Sequence, residues 1–124
     1  MVIDRVLRAA PPGTRIPKPA ATAPFKVRRV GKRRGERALI YTIPNHNDPT
    51  RPYEKGITAT EFEKAYARLK RSGELTHGWF RDHLPGCAAE GSCNFTSLGG
   101  LFVRLGIAAY DRRGVYRDVD RRDA

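Results

Sequence analysis

The sequence predicts an α+β fold in which three helices and a closing β-hairpin follow a basic N-terminal β-hairpin and a flexible tail. Three observations predict it. Phe62, Ala65, Tyr66 and Leu69 recur at i, i+3, i+4 and i+7, which lines one face of a helix. Two β-prone runs flank the glycine-bounded basic loop GKRRG at 31–35. A second pair, Ile107–Tyr110 and Val115–Val119, flanks a turn at Asp111–Gly114. With 124 residues the chain has room for one core rather than two.

Residues 1–24 are rich in Ala and Pro, with PPG at 11–13 and further prolines at 17, 19 and 24, so they read as a mobile basic tail. VIDRVLR at 2–8 has the stripe of one amphipathic turn, too short to stand alone. Residues 25–56 read as a basic hairpin and a loop. Phe25, Val27 and Val30 lie before GKRRG, Ala38–Ile43 lies after it, and NHNDPTRPYEKG at 45–56 is dense in turn residues.

Residues 57–119 form the main domain. Thr58/Glu61 and Thr60/Glu63 are overlapping capping boxes for the first helix, and Gly73 is its left-handed end. Thr76 caps a second helix holding Trp79, Phe80 and Leu84, which Pro85 stops; PGCAAEGSC at 85–93 reads as a loop. Asn94 or Thr96 caps a third helix, whose Phe95, Leu98, Leu101, Phe102 and Leu105 face the core and which ends at Gly106. Residues 120–124 should fray.

Three helices followed by a hairpin, with FTSLGGLFVRLGI at 95–107 and DRRGVYR at 111–117, resemble the winged helix-turn-helix superfamily over roughly residues 57–119. The resemblance is one of pattern and names no narrower family. It departs from that pattern in the 85–93 loop, which is longer than the 3–4-residue turn of a compact helix-turn-helix. It implies that the third helix lies in the DNA major groove and that the hairpin, the wing, touches phosphate or an adjacent groove. Gly99 and Gly100 would then let the third helix approach the first helix or the phosphate backbone closely.

Charge points to the same class of partner. The chain carries 24 Lys+Arg against 13 Asp+Glu, formally +11; residues 1–37 hold 11 basic and 2 acidic residues. Clustered cations gain affinity for polyanions by releasing condensed counterions. Candidate nucleic-acid contacts are Asn94, Thr96, Ser97 and Arg104 on the third helix, and Arg112, Arg113 and Arg117 on the wing. Lys32, Arg33, Arg34 and Arg37 on the first hairpin are a second candidate grip on phosphate. The function expected is non-catalytic binding of duplex DNA in a regulatory or accessory role. The alternatives are a protein–protein interaction module of winged-helix type and an RNA- or ribosome-associated basic protein. Oligomeric state is not readable.

Other classes lack their signatures. Neither a phosphate-loop pattern, nor a dinucleotide fingerprint, nor a defensible Ser/His/Asp grouping is present, so neither an enzyme nor a cofactor is expected. His77, His83, Cys87 and Cys93 are four potential zinc ligands within 17 residues, but Cys-x5-Cys is wider than a zinc knuckle. Two reduced, inert thiols are the expectation, with zinc or a disulfide the alternatives. No apolar run approaches the roughly 20 residues that span a bilayer, and the start lacks a secretory apolar core. A cytoplasmic protein without membrane partners is expected.

Overall fold

The structure is a computed structural model that describes residues 1–20 and 23–120; the frayed terminus expected at 120–124 lies outside the described residues from 121 onward. The order is α1 (Val2–Ala9), β1 (Lys26–Arg33), β2 (Glu36–Ile43), β3 (Tyr53–Thr58), α2 (Ala59–Ser72), β4 (Glu74–Thr76), α3 (His77–His83), α4 (Pro85–Glu90), α5 (Cys93–Leu105), β5 (Ala108–Arg112) and β6 (Val115–Asp118). This is a mixed α+β protein with two small antiparallel sheets, ordered β1-β2-β3 and β4-β6-β5.

The N-terminal segment is not the tail that its composition predicts. Val2, Ile3 and Val6 of α1 are buried, the Val2 backbone N–H donates to Glu63 at 2.8 Å, and Arg37 pairs with Asp4 at 2.8 Å. The Pro-rich run beyond it lies along β1: Gly13 N–H donates to the Val27 carbonyl at 2.7 Å and Ile16 N–H to the Phe25 carbonyl at 2.9 Å. An eight-residue helix is stabilised by tertiary burial rather than by propensity, and composition does not register that. Prolines are compatible with an extended segment at a sheet edge.

The first sheet has a third strand where a loop was expected over 45–56. β2 is buried from Ala38 to Tyr41 and pairs on both sides, β3 supplying the second side with Ile57 opposite Leu39. Only the stretch before Tyr53 is irregular. Ile57 and Thr58 therefore belong to β3, and α2 begins at Ala59. The Thr58/Glu61 capping box is formed in both halves and Gly73 ends α2. The second box is not formed: Thr60 donates to Glu36, while Glu63 holds Val2.

Thr76 caps α3 by accepting from Trp79 N–H at 3.1 Å. Pro85 does end α3, but it also opens α4, so the expected 85–93 loop contains a short helix. A proline cannot continue a helix, yet its fixed φ suits the first position of the next one. β4, three residues long, is too short for any periodicity to announce; it pairs with Val115–Arg117 of β6. α5 starts at Cys93 with Ser92 as N-cap and no capping side chain, rather than at a cap from Asn94 or Thr96, and it ends at Gly106.

One hydrophobic cluster runs from Val2 to Tyr116 and joins all these elements. α5 lies within it, with Leu98, Leu101 and Phe102 fully buried and the Phe102 ring 6.3 Å from that of Phe62. Among the described residues no helix is long and apolar enough to cross a membrane.

Candidate nucleic-acid interface

The closing hairpin presents three exposed cations. Tyr110 lies opposite Tyr116, their rings 5.7 Å apart and nearly perpendicular, which stiffens the two strands. Arg112, Arg113 and Arg117 are exposed. Arg112 pairs with its neighbour Asp111, whereas Arg113 and Arg117 have no carboxylate within 4 Å among the described residues.

Beside this hairpin a cleft of about 390 Å³ opens against the first turn of α5. Ser92 and Thr96 border it from α5, His77 from α3, and Tyr110 and Arg113 from the hairpin. Burial, with the nearby Arg81 charge, lowers the His77 pKa, so that ring is neutral at pH 7. Burial beside Tyr110 pushes the Tyr116 phenol up to about 12, which keeps it protonated. Sequence reasoning missed His77 and Ser92 as members of this cleft; only the packing of α3 against α5 brings them there.

The expected contacts on α5 divide. Thr96 is half-exposed at the cleft. Asn94 and Ser97 are fully buried, so they do not face a base edge. Asn94 accepts from the Tyr41 hydroxyl at 2.6 Å and donates to the Cys87 carbonyl at 2.9 Å, tying β2, α4 and α5 together. Burial dominates the rise in the Tyr41 pKa. Arg104 is exposed, with Nε donating to the Ala9 carbonyl at 2.9 Å.

The paired glycines have a different use from the one expected. A Cβ at Gly99 would overlap the Tyr116 ring, and a Cβ at Gly100 would overlap the Pro17 carbonyl oxygen and crowd Ile16. They let β6 and the N-terminal segment close onto α5, not the first helix of the domain or a phosphate. Because residues 16–17 cover α5 at Gly100, only the first turn of α5 is open at the cleft.

The second expected grip, on the first hairpin, is largely spent inside the protein. Arg34 donates to Glu61 at 2.7 and 2.9 Å, to Glu90 at 2.7 Å and to the Gly56 carbonyl at 2.9 Å. Arg33 donates to the other Glu90 oxygen at 3.2 Å, and Arg37 to Asp4. Burial opposes ionisation of Glu90, but the Arg34 and Arg33 hydrogen bonds outweigh it and hold its carboxyl below the usual range. Lys32 alone of the four has no carboxylate within 4 Å among the described residues.

The four potential zinc ligands are not brought together. His77 packs edge-on against Phe95 and His83 stacks on Trp79. Cys87 is buried, and burial together with the Glu61 charge pushes its thiol up despite Arg34. Cys93 is half-buried beside the Tyr41 hydroxyl at 3.4 Å. Both thiols are free, and no group of three or more His, Cys, Asp or Glu among the described residues is placed to hold a metal ion.

Compared with known protein families, curated proteins and solved structures, the chain matches none.

Proposed function

We propose that the protein is a non-catalytic nucleic-acid-binding protein whose residues 57–119 are a winged helix and whose partner is duplex DNA, in a regulatory or accessory role. The observation that carries this reading is the exposed Arg112, Arg113 and Arg117 hairpin standing beside the open first turn of α5. Two further features support it. α2, β4, α3, α5, β5 and β6 follow one another in the order expected of that superfamily, and the sheet order β4-β6-β5 is compatible with reading the last hairpin as a wing. α4 is an addition between the second and third helices.

The mode of contact differs from a helix laid along the major groove. With Asn94 and Ser97 buried and Gly100 under Pro17, phosphate contacts by Arg113 and Arg117 carry most of the affinity. Base reading falls to Ser92 and Thr96, two short hydroxyls that contact several base edges with little discrimination. Weak sequence preference and strong salt dependence follow.

Fluorescence anisotropy of the full chain with random-sequence duplex DNA and with a hairpin RNA tests this. Duplex affinity should fall with salt at a log–log slope of roughly −3 to −5, from about 0.9 per neutralised phosphate. Replacing Arg112, Arg113 and Arg117 together by Ala should flatten that slope by roughly 2 to 3. Unchanged duplex affinity in that variant would overturn the wing assignment. Tighter binding to the RNA would move the reading to the RNA-associated class, and no binding to either would favour a protein-docking role.

A further inference from the structure

Away from the wing, α2 and α3 enclose a second basic cleft of about 350 Å³, lined by Lys64, Arg68, Arg71, Trp79 and His83. Lys64, Arg68 and Arg71 stand at i, i+4 and i+7 on α2, one face of the helix. Like charges at that spacing oppose helix formation. The α2 acids are engaged elsewhere: Glu61 holds Arg34 and its own cap, and Glu63 holds Val2. Among the described residues neither Lys64 nor Arg68 has a carboxylate within 4 Å. Arg68 also keeps its Nε shielded from water with no hydrogen-bond partner among the described residues.

The aromatic side of the cleft is equally specific. Trp79 is only half-buried, and its ring stacks on His83 at 5.1 Å with an interplanar angle of 11°. The His83 ring is held there by a contact of its Nδ1 with the Trp79 carbonyl at 3.2 Å. A stacked indole–imidazole pair bordering a row of cations combines the two features that bind single-stranded nucleic acid, a π-platform for a base and a positive track for its backbone. From Lys64 to Arg71 the helix rises roughly 10 Å, at about 1.5 Å per residue. At about 3.4 Å per nucleotide of a stacked strand, that is the length of about three nucleotides.

We infer that the α2–α3 cleft is a second nucleic-acid site, for a single strand of two to three nucleotides: phosphates lie along Lys64, Arg68 and Arg71, and a base stacks against Trp79. It does not depend on the wing, since no residue is shared with that surface. A protein with both sites would hold a duplex on one face and a displaced or overhanging strand on another.

Trp79 is the chain's only tryptophan, so its fluorescence reports on this cleft alone. Titrating the full chain with an oligothymidylate octamer should quench Trp79 saturably. Lys64→Gln combined with Arg71→Gln should weaken that binding about tenfold and flatten its salt slope by about 1.4, from about 0.7 per phosphate on a single strand. The Arg112→Ala/Arg113→Ala variant should leave the quench unchanged, which separates this site from the wing. Trp79→Leu, followed by anisotropy of labelled octamer, measures the stacking contribution directly, and binding should weaken about tenfold. Three results would overturn the site: no quench with the octamer, a quench indifferent to the Lys64 and Arg71 changes in a variant of unaltered melting temperature, or thymidine monophosphate binding as tightly as the octamer.

Discussion

The molecule contains the tripeptide Arg-Arg-Gly twice, each time at the turn of an antiparallel hairpin, and uses it in opposite ways. At 33–35 both arginines are drawn into the body; Arg34, held at φ 52°, is only 26% exposed in its side chain and bridges Glu61 to Glu90. At 112–114 both stay in solvent, and among the described residues the one carboxylate paired with them is the adjacent Asp111. The difference lies in what stands opposite each turn. Glu61 sits in the first turn of α2 and Glu90 at the end of α4, 27 and 56 residues from Arg34 in the chain. A basic turn binds a partner only where the fold places no acid across from it, and that depends on residues far away in the sequence.

The sharpest way to break the comparison is Arg34→Ala. Glu61 and Glu90 are 10% and 17% exposed in their side chains, so removing the guanidinium strands two largely covered carboxylates. Breaking such a pair costs about 3 kcal/mol once its partial exposure is allowed for. A change below 1 kcal/mol in urea denaturation would show Arg34 to be as dispensable to the fold as a solvent arginine. Next in size is Gly100→Ala. The added methyl meets the Pro17 backbone, which has no rotamer to move aside, so overpacking costs about 2 kcal/mol. A neutral result by the same measurement would mean that residues 16–17 are not packed on α5.

These effects bear on what the sequence makes legible. The Thr58 cap, the Phe62–Leu69 stripe, the Gly73 and Gly106 ends and the closing hairpin are local patterns, and each is present in the structure. α1, β3 and β4 are short, and their stability comes from partners: the Glu63 hydrogen bond and the core for α1, the unfilled side of β2 for β3, and β6 for β4. The candidate site shows the same limit. Exposure of Arg112 and Arg113 follows from a turn signal, but the burial of Asn94 depends on Tyr41, 53 residues away. Trp79 falls at core spacing, and nothing local announces that half of it borders a basic cleft.

A smaller effect separates the two turns by pH. Glu90 has its folded-state pKa lowered from 4.5, burial opposing the shift and Arg34 and Arg33 driving it. A carboxylate more acidic in the folded state stabilises the fold above its unfolded pKa, and this contribution is lost as the pH falls through the folded value. Stability should therefore decline from about pH 5 downward, and Glu90→Gln should remove part of that slope while lowering stability at neutral pH. Parallel curves for the two proteins between about pH 6 and pH 3 would mean that Glu90 carries no linkage.

The smallest expected change in stability is at the other turn. Arg113 and Arg117 make no ion pair among the described residues, and Arg112 pairs only with its exposed neighbour. Arg112→Ala with Arg113→Ala should accordingly shift the unfolding free energy by no more than about 0.5 kcal/mol. The same two substitutions should weaken duplex DNA by about tenfold at moderate salt, if each removes one phosphate contact. The contrast with Arg34 is then complete: one arginine-glycine turn whose loss is felt by the fold, the other whose loss is felt by the ligand. A stability loss above 1 kcal/mol at Arg112 and Arg113 would erase it, because an affinity change in a destabilised variant no longer reports on contact with DNA.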